Sequence, residues 1–376
     1  MVALRAMTST PIKTATTRYW VSCVVLTAAL GELMAALRVP SGWLISALIS
    51  AGAVAVLTGY ELTPPKRVLR PAQGCIGIIA AAPLAGVASS TMARYLGVSV
   101  VCSGATLILC LACALVLARA AKTLSPATAL LSTLAGGASG ISTMAPELRV
   151  DHRYVALSQY LRLIVVTLTL PLVLQLAGDD AEVSHAAGGH VNVITTLSAA
   201  AIIFCAGYVG LRWKWPAPYL LASMLVALLI EMSTQGQFVP GLPAPVHVAA
   251  YMVIGWQAGG SFTRSSIHQF VRLLPLTCTF IGLAIGGCLT MAVGLSAWTG
   301  LSLSQAYLAT TPGGIYAVLA AANDSGAGPI VVTMQVFRLL VMVFTAIIGS
   351  KRLTSEPNPA IQRTPAVCAR VVAVAA

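Results

Sequence analysis

Long apolar stretches dominate the hydrophobic pattern of this chain of 376 residues. Stretches of about 20 residues, the length that a helix needs to cross a bilayer, recur from Tyr19 to Gly349. The pattern predicts an all-α polytopic membrane protein with about 10 transmembrane helices. The predicted spans are 19–37, 43–60, 72–91, 95–117, 155–176, 194–211, 217–234, 246–263, 273–295 and 329–349.

Two further segments, 125–144 and 302–323, are less hydrophobic and are broken at their centres. The breaks are a Gly-Gly pair at 136–137 and a Pro-Gly-Gly turn at 312–314. Each segment could cross the membrane fully or return to its starting side as a re-entrant hairpin. An arm of about 10 residues is about 15 Å long, half of a hydrocarbon core of about 30 Å. A hairpin would therefore place its turn near the membrane midplane.

The chain also resembles itself at a distance of about 176 residues, and three matches in order indicate an internal repeat. The predicted organisation is a cytoplasmic N-terminal tail (1–18), a first membrane repeat (19–177), an external linker (178–193), a second membrane repeat (194–350) and a cytoplasmic C-terminal tail (351–376). The matching segments are 39–44 with 215–220, 131–137 with 308–314, and 159–163 with 335–339.

Charge favours one topology for the two broken segments. With 58% hydrophobic and 9% charged residues, the composition excludes a soluble domain, and the net charge of +12 follows from loop positions rather than from nucleic-acid binding. With both segments re-entrant and both termini inside, Arg38 and Arg94 lie outside, Arg162 and Arg338 lie within spans, and all other Lys and Arg are cytoplasmic. The positive-inside rule favours this arrangement, in which the two repeats are inverted relative to each other.

Two arginines within predicted spans carry the main candidate chemistry. Arg162 and Arg338 each follow a Gln by three residues, on the same helical face. The planar donor pair of a guanidinium matches a carboxylate or phosphate, which would make a central anion site. Alternatively, each Arg donates to the carbonyls freed by the break in its own hairpin. The predicted substrate-binding residues are Arg162, Arg338, Gln159, Gln335, Gly136, Gly137, Gly313 and Gly314.

Enzymatic chemistry has little support in the sequence. No G-x-S-x-G, Walker or G-x-G-x-x-G motif occurs, and the five His and nine Cys show no metal-ligand spacing. We therefore expect no catalytic residues, no metal and no cofactor. Glu32 lies within the first predicted span and could be an inert protonated group, an interfacial group or a proton carrier.

These motifs resemble the bacterial AbrB-type membrane family, which is also catalogued under an ammonia monooxygenase label. The family pattern is a Pro-Gly-Gly turn, an Asp-x-Arg-x-Val-Ala stretch and Gln-x-x-Arg-Leu. The resemblance covers residues 20–352 and implies a duplicated membrane unit. The segments that carry it are 136–137, 151–156, 159–163, 250–256, 306–314 and 335–339.

Three functions are compatible with these features. The first is a secondary transporter in the bacterial inner membrane for small anionic solutes, with a midplane site between the inverted repeats. The second, implied by the resemblance, is a membrane-embedded regulator of gene expression that acts through a partner. A membrane monooxygenase is a remote third. We expect the lipid bilayer and a small anionic solute as partners, no direct contact with nucleic acid, and leave a homo-oligomer open.

Overall fold

The computed structural model describes residues 17–354, apart from 38, 40, 85–86, 88, 122–123, 137–140, 142–149, 177–191, 214, 216, 235–237, 264–270 and 272. Within these ranges every regular element is helical. The α-helices are α1 (Thr17–Ala36), α2 (Gly42–Thr58), α3 (Lys66–Ala81), α4 (Ser89–Ala120), α5 (Pro126–Thr133), α6 (His152–Leu176), α7 (Val193–Arg212), α8 (Pro218–Ser233), α9 (Ala244–Gly260), α10 (Leu274–Thr299), α11 (Leu303–Thr310), α12 (Ile315–Asp324) and α13 (Pro329–Thr354).

Six of the described helices are long and apolar enough to cross a membrane: α1, α4, α6, α7, α10 and α13. Large apolar side chains cover their outer surfaces; Val25, Ile108 and Phe204 are each more than half exposed. Such a surface suits lipid rather than water. The hydropathy pattern is therefore confirmed at the level of an all-helical, multi-pass membrane protein.

Four of the predicted spans are short helices. α2 and α9 have 17 residues, and α3 and α8 have 16 residues. At about 1.5 Å per residue they reach about 24 to 26 Å, slightly less than the hydrocarbon core. The count of about 10 crossings depends on these four helices and stays a prediction.

The boundaries of the third and fourth predicted spans are wrong. The third was predicted at 72–91, but α3 ends at Ala81 and a single 3-10 turn, Ala82–Leu84, follows it. Pro83 has no backbone N–H, so it cannot continue the hydrogen-bond ladder of the helix. The next helix, α4, consequently begins at Ser89 instead of 95.

At the other end of the chain, α13 continues past residue 350. Residues 1–16 and 355–376, and all but the end of the predicted linker, lie outside the described residues.

The turns before α2 and α8 have the same unusual backbone geometry. Ser41 and Ala217, which the sequence repeat pairs, have positive φ angles of 56° and 46°, and no other described non-Gly residue has a positive φ. In the first turn the Val39 N–H donates to the carbonyl of Met34, and in the second the Trp215 N–H donates to the carbonyl of Gly210, both at 3.0 Å. Equivalent positions of the two predicted repeats therefore adopt equivalent local structure here.

The helices pack as two groups. The first group contains α1–α3 and α7–α9, and the second contains α4–α6 and α10–α13. In the first group the halves of the chain interlock, because α2 packs against α9 and α3 packs against α8. Gly255 on α9 allows this approach, since a Cβ there would overlap the carbonyl of Leu44. The two groups meet mainly where α6 and α12 contact α2, α3 and α9.

Both predicted broken segments begin with a helix of eight residues, α5 or α11. Ser125 and Ser302 cap these helices with their side-chain oxygens. In the second segment the chain leaves α11, turns through 311–314 and continues as α12, so the predicted break is present. In the first segment α5 ends at Thr133, and most residues after Gly136 lie outside the described part.

Candidate functional site

Arg162 and Gln159 on α6 pair the open carbonyls at the end of α5. Arg162 Nη1 donates to the carbonyls of Thr133 at 3.2 Å and Leu134 at 3.0 Å, and Nη2 donates to Gln159 Oε1 at 2.7 Å. Gln159 Nε2 donates to the carbonyls of Leu131 at 2.6 Å and Leu134 at 3.1 Å. The last carbonyls of a helix have no partner within the helix, and no lipid can pair them. The two side chains therefore stabilise a helix end inside the protein.

The second half repeats this arrangement. Arg338 Nη1 donates to the carbonyl of Thr310 at 2.9 Å, and Nη2 donates to Gln335 Oε1. Gln335 Nε2 donates to the carbonyls of Leu308 at 2.5 Å and Ala309 at 3.4 Å. Of the two interpretations of the arginines, pairing of freed carbonyls is confirmed. A substrate contact by the same residues stays a prediction.

The two guanidinium groups bring two positive charges into the interior of the protein. Both arginines are at most 5% exposed, and they are close enough to interact electrostatically with each other. No carboxylate of the described residues is among their electrostatic neighbours. The negative ends of the α5 and α11 dipoles compensate part of this charge. Neither Nε makes a hydrogen bond to a described group.

Each Gly-containing break packs against the arginine-bearing helix of the opposite half. A Cβ on Gly136 would overlap Met342 on α13, and a Cβ on Gly313 would overlap Val166 on α6. The sequence repeat pairs Met342 with Val166, so the two contacts correspond. Gly314 lies in the same way against Leu163, whereas Gly137 is outside the described residues. These glycines therefore permit close helix packing.

Each short helix runs in the same direction as the long helix that follows its segment. At the start of α5 and α6, the Asp151 N–H donates to Thr128 Oγ1 at 3.2 Å, while the contacts of Arg162 lie farther along both helices. In the second half Gln335 contacts Leu308, and Arg338, three residues later on α13, contacts Thr310, two residues later on α11. The first residues of each short helix therefore lie beside the first residues of the long helix.

A narrow pocket lies between the two helix groups, beside the turn of the second segment. The first group contributes α2 and α9 to its wall, and the second group contributes α6 and the first turn of α12. On α6, Tyr160, Leu163 and Thr167 line it as one helical face. Of the predicted substrate-binding residues, Gly314 lines this pocket. Arg162 lines a different small cavity, next to Tyr154.

A cluster around Asp324 was missed by the sequence analysis. Asp324 Oδ2 accepts a hydrogen bond of 2.9 Å from the backbone N–H of Ser41. Asp324 Oδ1 accepts from the Tyr251 hydroxyl and from Asn323 Nδ2, both at 3.3 Å. The cluster connects the end of α12 with α2 and α9. No local signal could predict it, because an acidic residue at a helix end is usually interfacial.

A buried glutamate on α8 was also missed. Glu231 is 1% exposed, and neither of its carboxylate oxygens has a hydrogen-bond partner among the described residues. It lies inside the predicted span 217–234, so its position in the sequence did signal an intramembrane acid. Glu32, by contrast, is exposed on α1 close to the end of that helix. This placement agrees with the interfacial alternative.

Long apolar helices, two broken segments and two buried arginines together define a multi-pass membrane protein. The chain belongs to the AbrB family, described as "Transition state regulatory protein AbrB", which matches residues 43–354. The resemblance inferred from the sequence motifs is confirmed.

Two bacterial proteins are similar over nearly their whole lengths. "Putative regulator AbrB" of Escherichia coli (strain K12) is 29% identical over 337 residues, which cover 87% of this chain and 94% of that protein. "Uncharacterized protein YhjN" of Bacillus subtilis (strain 168) is 26% identical over 350 residues, which cover 85% of this chain and 89% of that protein. No solved structure matches the chain.

Proposed function

We propose that this protein is a secondary transporter of small anions in the bacterial inner membrane, with no catalytic chemistry of its own. The observation that carries the proposal is the pair of buried arginines at the open ends of two broken helices. Arg162 and Arg338 lie about 14 to 15 Å along their helices, which corresponds to the middle of a bilayer. Broken helices in corresponding positions of two halves are typical of secondary transporters with a midplane site.

The proposed topology has about 10 crossings, two re-entrant hairpins, inverted repeats and cytoplasmic termini. The parallel course of α5 and α6, and of α11 and α13, supports it. Because each pair starts side by side, the chain between the two helices returns to the side from which it entered. The hydrogen bond between Asp324 and Ser41 agrees, since both residues lie on the outer side in this topology.

An anion fits the electrostatics of the interior. Two positive charges without a described acidic partner create a positive potential, which the low dielectric of the interior strengthens. In this proposal the arginines hold the two helix ends with their Nη atoms and attract the anion with their charge. Gln159 and Gln335 fix the guanidinium orientation. A cation in the same place would be repelled.

A thermal-shift screen tests this function. Detergent-purified protein is heated with small carboxylates, sulfonates, phosphates and amines, alongside Arg162→Gln and Arg338→Gln. We expect one class of anion, and no amine, to raise the unfolding temperature. The shift should disappear in both Gln variants and persist in part in Arg338→Lys, which keeps the charge. Equal shifts in the parent and in folded Gln variants would contradict the role of the arginines.

The name of the E. coli relative supports a second candidate, a membrane-embedded regulator that acts through a protein partner. Such a protein would bind no anion in the screen and would retain a stoichiometric partner during purification. Anion binding without a retained partner favours transport.

A further inference from the structure

The pocket between the two helix groups contains the hydroxyl group of Thr167, which has no hydrogen-bond partner among the described residues. On α6 its wall carries Tyr160 and Thr167. The sequence repeat places Val336 and Val343 at the corresponding positions of α13, where they pack in an apolar core. One half of the protein therefore builds this helical face from apolar side chains alone. In the other half Tyr160 interacts with Gln257 on α9, and the presence of Thr167 needs a different explanation.

Thr167 has an unused hydroxyl in this pocket. Its side chain is 1% exposed, and Oγ1 has no hydrogen-bond partner in the described part of the chain. Several other buried threonines, though not Thr311, donate to the carbonyl four residues earlier, as Thr27 does at 2.7 Å and Thr106 at 2.8 Å. A buried hydroxyl without a partner is unfavourable unless a ligand or water pairs it. The hydroxyl of Thr167 is therefore available to a ligand in the pocket.

The N-terminus of α12 faces the same pocket. This helix has 10 residues, and its N-cap, Gly314, has no side chain that could pair the N–H groups of Ile315 and Ala317. Gly314, Ile315 and Ala317 line the pocket. The N–H groups and the positive dipole end of a helix N-terminus favour an anionic oxygen at such a position. The break in the second segment thus presents donors to the space between the helix groups.

The remaining wall limits the kind of anion. No charged side chain lines the pocket; the polar contribution of the first helix group is Gln257, and most of its wall is apolar, including Leu48 and Ile254. A single anionic group with a short organic body matches one set of donors and an apolar wall. A phosphate or a dicarboxylate would bring a second negative charge that no side chain of this wall neutralises.

We propose that this pocket binds a small monocarboxylate. The carboxylate accepts hydrogen bonds from the N–H groups of Ile315 and Ala317 and from the Thr167 hydroxyl, and the organic body packs against Leu48 and Ile254. The inference rests on the proposed transport function and assigns its substrate class. The pocket as described has a volume of about 30 Å³, which is too small for the anion, so the two helix groups that form its wall must separate to admit it.

Lactate, with its neutral amide lactamide as control, tests this site. We expect lactate to stabilise the full-length protein in detergent and lactamide to have no effect. Thr167→Val should weaken lactate binding about tenfold or more, because a hydrogen bond to a charged group is lost. This variant should fold, since Val343 occupies the corresponding position in the other half. Thr106→Val removes a buried hydroxyl outside the pocket and should bind lactate like the parent.

The outcomes separate the site from the transport function. Lactate binding of equal strength in the parent and Thr167→Val overturns the pocket but leaves anion transport standing. Binding of sulfonates or phosphates without lactate overturns the monocarboxylate class alone. If no anion of any class binds to the folded parent, both the pocket and the proposed function are wrong.

Discussion

The carboxylate of Asp324 accepts a hydrogen bond of 2.9 Å from the backbone N–H of Ser41, although 283 residues separate them in sequence. Ser41 precedes α2 in a left-handed conformation and makes no side-chain cap for that helix. A capping group at a helix N-terminus usually belongs to the N-cap residue itself. At α2 the negative group comes instead from the distant Asp324. The contact fixes the end of the second broken segment to the first helix group.

Removing this carboxylate should destabilise the protein. We expect Asp324→Ala to lower the free energy of unfolding by about 1 to 2 kcal/mol, because a helix cap and its hydrogen bonds are lost. Asp324→Asn, which retains an acceptor oxygen, should cost less. Unfolding in detergent measures both, with Glu32→Gln on the exposed face of α1 as control. An Asp324→Ala protein as stable as the parent would show that the contact contributes nothing.

The buried arginines should contribute to the stability of the protein as well as to anion binding. Arg338→Gln leaves the carbonyl of Thr310 and the amide oxygen of Gln335 without their charged donor, so we expect a loss of about 2 to 4 kcal/mol. Arg94→Gln, an exposed arginine on α4, is the matched control and should change stability by less than about 0.5 kcal/mol. Similar losses in both variants would contradict the role assigned to the buried guanidinium.

The glycines at the breaks should differ from other glycines in the membrane helices. A Cβ on Gly136 would overlap Met342 at its Cβ, which cannot rotate away, so Gly136→Ala should cost about 1 to 3 kcal/mol. Gly97 on α4 has no atom within 4 Å of its Cβ position. Gly97→Ala should therefore be neutral or should stabilise by up to about 1 kcal/mol. Equal tolerance at both positions would argue against close packing of the break.

Labelling of single cysteines tests the re-entrant topology. On a background without the native Cys, we expect Ser125→Cys and Asp151→Cys to react with impermeant reagents from the cytoplasmic side. Ser302→Cys and Ser325→Cys should react from the outside. Each pair brackets one broken segment, so a full crossing would place its two members on opposite sides. Labelling of either pair from opposite sides would contradict the hairpins.

Local patterns in the sequence predict most of the helices and the arginine pairs. A stretch of about 20 apolar residues specifies a membrane helix regardless of its neighbours. The three-residue spacing of Gln159 and Arg162 places both on one helical face, and an intramembrane guanidinium requires partners. The freed carbonyls of a broken helix are the obvious candidates. These features depend on spacing alone.

Contacts between distant segments could not be predicted in this way. The left-handed residue of the turn before α2 is Ser41 and not a glycine, and its partner Asp324 is 283 residues away in sequence. The pairing of α2 with α9 and of α3 with α8 depends on surface complementarity between the halves. Thr167 gave no signal either, because threonine is common in membrane helices and usually pairs with its own backbone. The pocket between the helix groups is consequently visible only in three dimensions.

Counterflow of labelled lactate in proteoliposomes is the most direct test of whether this protein transports a small anion. Vesicles that contain purified protein and unlabelled lactate are diluted into labelled lactate near neutral pH, with protein-free vesicles as control. We expect transient, saturable accumulation of label that Thr167→Val reduces and Thr106→Val does not. No accumulation above protein-free vesicles, for lactate or for any other small anion, would contradict a transporter of small anions.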